Sequence, residues 1–193
     1  IIVKNRTTAG ADWPVYHENT GNTGATYLNS TAGFATDSTR WNNTSPTSTV
    51  FSVGNGQGVN HSSASLIAYC FSEVSGVSKF GTYTGNGSTT GPTITTGFRP
   101  GFVMTKRTDT SGNWYINDGT RSPFNPTVPL YADLDIAEAG NGIDLLSNGF
   151  QIKNADGSQN ASGGTYIYMA FKGSYSDYVS PLNTDGDIDS RVK

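Results

Sequence analysis

The chain has 193 residues, a formal net charge of −3 and only 14% charged residues, with 34% hydrophobics, 11% aromatics and 24 glycines. That aromatic content can bury a core, which excludes a disordered polar chain. No Lys/Arg-rich run occurs and no apolar stretch reaches the roughly 20 residues of a membrane span, so neither nucleic acid nor membrane insertion is expected.

Short β-favouring runs separated by Gly, Asn, Asp and Ser recur from end to end, and no stretch holds a helical period. The chain opens on Ile1-Ile2-Val3, followed by Arg6-Thr7 and Trp13. Trp41 lies among Thr39, Arg40, Asn42, Asn43 and Thr44. An apolar ring face surrounded by amides and hydroxyls has the make-up of a sugar-stacking platform, so Trp41, Asn42 and Asn43 are the candidate ligand-binding residues, with loop packing as the plain alternative. Leu66 to Phe71 is apolar on both alternating sets and reads as a central strand covered on both faces. Cys70, the single cysteine, sits in this run and reads as a small buried core residue. With no second cysteine, no disulfide forms within the chain.

In the second half, strands are expected at about 77–84, 93–96, 101–108, 113–118, 128–132, 143–146, 150–153 and 164–172, punctuated by turn dipeptides such as Asn148-Gly149 and Asp156-Gly157. Asp133 to Ala139 is the one stretch with any helical character. Tyr166 to Phe171 repeats the two-sided apolar pattern of Leu66 to Phe71.

That recurrence belongs to a longer register. Arg6 and Trp13 recur as Arg107 and Trp114, an offset of 101 (107 − 6; 114 − 13), and Asn60, Ser62, Ile67 and Phe71 recur as Asn160, Ser162, Ile167 and Phe171, an offset of 100 (160 − 60). A register held across such a span indicates a tandem duplication of a unit of roughly a hundred residues. The expected fold is all-β, two tandem β-sandwich units of jelly-roll or concanavalin-like type, with a first unit over 1–75, a second over 76–176 and a polar linker or tail over 177–193. Residues 79–84 and 93–95 precede the second copy's Phe102-Val103-Met104 and have no first-copy counterpart. The first unit is therefore expected to lack its N-terminal strands and to carry an open sheet edge that something else fills.

Residues kept in both copies read as structural: Trp13 and Trp114 as core, Arg6 and Arg107 as salt-bridge partners or carbonyl clamps. Asn183, Asp185, Asp187 and Asp189 alternate as oxygen ligands do in calcium loops, with Gly186 among them, but no closing Glu follows at the twelfth position. Asp185, Asp187 and Asp189 are the candidate metal ligands, against a solvated linker. Asn154, Asp156, Ser158 and Asn160 show a similar alternation, with a hairpin turn at Asp156-Gly157 as the simpler reading. Asp12, Glu73, Asp118, Glu138 and Asp144 are scattered, and His17 and His61 have no metal-ligand spacing. No catalytic residues are expected, and calcium is the only cofactor the sequence suggests.

Ile2-Val3-Lys4-Asn5-Arg6, Trp41-Asn42-Asn43-Thr44-Ser45-Pro46-Thr47-Ser48, Lys79 to Gly87, Gly97-Phe98-Arg99-Pro100, Leu146 to Phe150 and Asn160 to Tyr168 together resemble a repeat family. The family is found in virion structural and tail-fibre-like proteins of tailed bacteriophages, notably phages of marine bacteria and cyanobacteria. The resemblance implies an extracellular virion protein, non-enzymatic, acting as a fibre, appendage or capsid decoration. Its expected partners are other copies or other virion proteins in an oligomer, and a host-surface glycan. A carbohydrate-binding module or adhesin of a bacterial surface is the alternative, and a glycan depolymerase a third reading.

Overall fold

A computed structural model describes residues 1–173. The first half holds β1 (Ile2–Asn5), β2 (Pro14–Val15), β3 (Gly24–Tyr27), β4 (Ala35–Thr36), the single-turn helices α1 (Ser38–Trp41) and α2 (Gln57–Asn60), and β5 (Leu66–Tyr69). The second half holds β6 (Ser78–Thr84), β7 (Thr93–Thr95), β8 (Pro100–Arg107), β9 (Trp114–Asp118), β10 (Leu130–Tyr131), β11 (Ile143–Leu146), β12 (Gly149–Ile152), the single turn α3 (Gly157–Asn160) and β13 (Thr165–Lys172). The protein is all-β, and the strands pair antiparallel in three sheets ordered β4-β3-β2-β1-β5, β10-β9-β8-β13-β6 and β11-β12-β7. All eight strands expected in the second half form, with ends within two residues of the expected ones. Residues 133–139 are irregular rather than helical.

Strand alternation sorts side chains onto opposite faces, and the faces build four layers. Ile2 and Val15 leave one face of the first sheet and meet Met104, Trp114 and Ile167 from the second. Val3 and Ala25 leave the opposite face and pack under Trp41 and Val59, which the α1 and α2 turns carry inward. The second sheet's other face presents Val103, Tyr166, Tyr168 and Ala170 to Ile94, Ile143, Leu145, Phe150 and Ile152 of the three-stranded sheet. A loop-and-turn layer is thus followed by two five-stranded sheets and a three-stranded one. β13 lies between β8 and β6 with both faces covered, as its two-sided apolar pattern requires.

Two glycines hold this geometry. A side-chain carbon at Gly149 would lie 2.0 Å from the Ile94 carbonyl oxygen, so only glycine lets β12 pair with β7 there. At Gly81, in register with Tyr168, it would lie 2.8 Å from the tyrosine ring.

The strand order β2-β1-β5 recurs as β9-β8-β13, and α2 and α3 precede β5 and β13 at an offset of 100 (157 − 57). The two regions differ in what lies beyond. β13 has β6 outside it; β5 is outermost in its sheet, with Ile67 37%, Tyr69 44% and Phe71 44% exposed. The expectation of a β5 covered on both faces is therefore corrected: the same sequence pattern sits here at an edge. Cys70 is corrected with it, being exposed, whereas Ala170 at the equivalent place is fully buried.

Candidate functional site

A cleft of about 750 Å³ lies where the first two sheets diverge. Its floor is apolar, with Ile2, Val15, Met104, Trp114 and Ile167. Its rim carries Glu18, Asn22, Ser45, Thr47 and Glu73. Glu73 accepts from Lys79 Nζ at 2.7 Å, which holds its carboxyl below the usual range. Phe71, Phe80 and Phe171 form an aromatic cluster at one end, with centroids 5.5 Å apart for Phe71 and Phe171 and 6.0 Å for Phe80 and Phe171.

His17 lines the cleft but is held on both ring nitrogens. The Asn19 amide donates to Nδ1 at 3.2 Å, which leaves the proton on Nε2, and Nε2 donates to the Tyr168 carbonyl at 3.1 Å. Burial pushes its pKa down, so the ring is neutral near pH 7. It works as a clamp between the halves rather than as a base. Trp114 Nε1 makes a second clamp, donating to the Tyr27 carbonyl at 2.8 Å.

Lys106 makes the third. Its side chain is fully buried, and Nζ donates to the carbonyls of Thr31 (3.0 Å), Arg107 (3.0 Å) and Gly112 (2.8 Å). Desolvation pulls its pKa down to about 8; Asp133 and Asp109 oppose that shift and Arg107 adds to it. Backbone bonds from Phe34 N to Thr108 O and from Gly112 N to Thr31 O close the same seam. The alternation of β8 places Lys106 on the face of Met104, so its inward direction was readable in the sequence; the three carbonyls awaiting it were not.

Trp41 does not form a platform. Asp37 caps α1, accepting from Thr39 N at 3.0 Å, and bonds Arg40 Nε at 2.8 Å. Asn42 ends the turn in the left-handed region at φ 53°. The turn swings Trp41 inward to 1% exposure, edge-on to Tyr16 at 5.9 Å, so neither ring face is open to a sugar. Asp37 ahead of Ser38-Thr39-Arg40 was the available signal for that turn. Asn42 and Asn43 remain exposed, both at positive φ, beside a shallow hollow that Ser38, Thr39, Gly54, Asn55 and Asn60 also line.

Asn154, Asp156 and Asn160 form neither a hairpin turn nor a ligand set. Asp156 caps α3, accepting from Ser158 N at 2.7 Å. Asn160 is fully buried; it accepts from Asn86 N at 2.8 Å and donates to the Ser88 carbonyl at 2.7 Å and the Asn154 carbonyl at 2.8 Å. Gln159, also fully buried, donates to Thr105 Oγ1 at 3.2 Å, and its carbonyl accepts from Tyr83 OH at 2.8 Å. These amides fasten α3 to β6, to the loop after it and to β8, and composition alone gave no sign of it.

Among the described residues, no group of three or more His, Cys, Asp or Glu is placed to hold a metal ion. Asp185, Asp187 and Asp189 lie outside the described residues. The scattered carboxylates have separate local partners: Asp12 accepts from Asn29, Asp118 from Thr120 N, Glu138 pairs with Arg121 and Asp144 with Lys153. Arg107 is both clamp and ion pair, reaching Asp109 at 2.9 Å and the Gly157 carbonyl at 2.9 Å; Arg6 is exposed. Trp114 is core and Trp13 partly so, with Lys4 Nζ 4.8 Å from its ring centroid.

No curated protein and no solved structure matches the chain. A family model described as a domain of unknown function (DUF7483) matches residues 1–174, a stretch that spans both halves of the internal repeat, and the chain belongs to that family.

Proposed function

We propose that this chain is a non-enzymatic structural protein of a bacteriophage particle, part of a fibre, appendage or capsid decoration. In this reading two tandem β-sandwich units of jelly-roll or concanavalin-like type hold loops outward for contact with neighbouring subunits or a host surface. The observation that carries it is the seam between the halves. Ile2 and Val15 share a core with Met104, Trp114 and Ile167, and His17, Trp114 and Lys106 each bond a carbonyl of the other half. Such a seam suits a rigid spacer, since relative motion of the halves would break apolar burial and buried polar bonds together. The recurring β2-β1-β5 order and the motif resemblance support the tandem reading.

The test is location. Antibodies raised against this chain should label purified particles of a phage that encodes it, at a repeated position visible by electron microscopy. Particles that carry none of the chain, by labelling and by mass spectrometry, would overturn the proposal.

A second reading, glycan binding, is favoured by the polar hollow beside Asn42 and Asn43. Binding on a glycan array that is lost in the Asn42→Ala/Asn43→Ala double variant would support it. Unchanged binding in that variant would remove the hollow as the site.

A further inference from the structure

We propose that the free edge of β5 is an acceptor for a β6-type strand carried by a neighbouring copy of this repeat. The inference rests on the modular reading above and names the contact by which modules join.

Consider first how the sheets end. Natural outer strands are short, charged or covered, because an open edge is a template for pairing. β4 and β10 are two residues each. β6 carries Lys79, paired with Glu73. β5 has none of these protections: Leu66 to Phe71 contains no charged residue, and Ile67, Tyr69 and Phe71 are exposed. Among the described residues no strand pairs with its outer side.

The backbone on that side is ready to pair. Arg6 N donates to Ser65 O at 2.8 Å, so in the antiparallel ladder Lys4↔Ile67 and Ile2↔Tyr69 are the hydrogen-bonded pairs with β1. Leu66, Ala68 and, by continuation, Cys70 therefore point their N–H and C=O groups away from β1.

The second half shows what such an edge takes. Tyr166, Tyr168 and Ala170, the counterparts of Leu66, Ala68 and Cys70, pair with Tyr83, Gly81 and Lys79 of β6. The β6–β13 pairing runs over seven residue pairs. Carried over to β5, Tyr83 would face Leu66, Gly81 would face Ala68 and Phe80 would face Tyr69. Phe80 already packs with Phe171 at the end of the cleft, beside Phe71, so the aromatic cluster of one sheet would continue into the other. The mode is β-augmentation: main-chain bonds supply affinity and the alternate side chains supply selectivity.

The test uses the full chain and a synthetic peptide of its own residues 76–87 as the incoming strand. Amide exchange followed by NMR should show Leu66 and Ala68 exchanging freely in the protein alone. Saturating peptide should slow both by at least about tenfold, with Ile67 and Tyr69 already protected by β1. Ala68→Pro removes an outward N–H without touching the β1 ladder, a position where proline is tolerated, and should abolish the effect while leaving the melting temperature nearly unchanged. Should that variant misfold, Ile67→Lys/Tyr69→Lys places charge on the exposed edge and should abolish it equally. No added protection at Leu66 and Ala68 with peptide present would overturn the proposal. So would protection of both amides in the protein alone at a concentration where it is monomeric, since another part of the same chain would then own the edge. Either failure leaves the particle-labelling result untouched, so the two proposals fail separately.

Discussion

Lys106 offers a quantitative test of how the two halves are fastened. Its ammonium is buried without a carboxylate in contact among the described residues and donates to three carbonyls. Its pKa falls from 10.5 to about 8, chiefly by desolvation. Each pKa unit corresponds to about 1.4 kcal/mol, so carrying the charge in the folded state costs about 3 kcal/mol relative to the unfolded chain. Below pH 8 that cost is fully present, because both states hold the proton. Between pH 8 and 10.5 the folded protein has released the proton while the unfolded chain retains it. Unfolding then takes up a proton, and stability rises with pH until the cost is gone. Replacing Lys106 with methionine keeps the stem's volume, removes the charge and leaves the carbonyls without this donor. The lost bonds are worth about 1 kcal/mol each, or about 3 kcal/mol together, and near pH 7 this roughly cancels the relieved desolvation. Lys106→Met should therefore be within about 1 kcal/mol of the parent at pH 7 and about 2 kcal/mol less stable at pH 10.5, where the neutral amine still donates two N–H groups. Urea unfolding of both proteins at pH 7, 8.5 and 10 measures this. A difference that stays flat across that range would refute the reasoning, because the lysine would then titrate as an exposed one does.

Trp41→Ala should cost about 3–5 kcal/mol in denaturant unfolding through the cavity it leaves among Val3, Ala25 and Val59. Trp41→Phe should cost far less, since it also removes an indole N–H that is buried without a partner. An unchanged melt for Trp41→Ala would mean the ring is not core. Asn160→Ala strips four hydrogen bonds from a fully buried amide and should cost more than about 3 kcal/mol, with amide exchange rising first at Asn86 and around Ser88. Exchange rising uniformly across the protein instead would show that the loop has no separate fastening. His17, its pKa lowered by burial, binds a proton more readily in the unfolded chain. Stability should therefore fall as pH drops below about 6.5, and His17→Gln should flatten that slope in melts between pH 7 and 5; an unflattened slope would assign the acid sensitivity to other groups.

Alternation carried most of the fold. In β13 nearly every inward residue on both faces is apolar, and turn residues such as Asn148-Gly149 mark where the chain must reverse, so eight strands could be placed from composition and spacing. The seam was half legible: the repeat marked Trp114 as core, and strand parity put Lys106 beside Met104. The acceptors in Tyr27, Thr31, Gly112 and Tyr168 are backbone carbonyls, which leave no trace in side-chain identity. Trp41 was misread because polar neighbours in sequence stood in for neighbours in space. One capped turn is enough to send the ring inward while Asn42 and Asn43 stay out.

The sharper case is the pair β5 and β13. Both read as strands buried on two faces, Ile67 matches Ile167 and Phe71 matches Phe171, yet one lies at the centre of its sheet and the other at the edge. A strand's own residues record the environment they are suited to, and not whether the flanking strand is present to supply it. β13 meets that environment within the described chain because the first and third sheets cover its two faces and β6 and β8 pair along its two edges. β5 has the same apolar specification with one side satisfied. The mismatch between what Leu66 to Phe71 is suited to and what surrounds it is the strongest indication in this protein that its surface is meant to be joined to another.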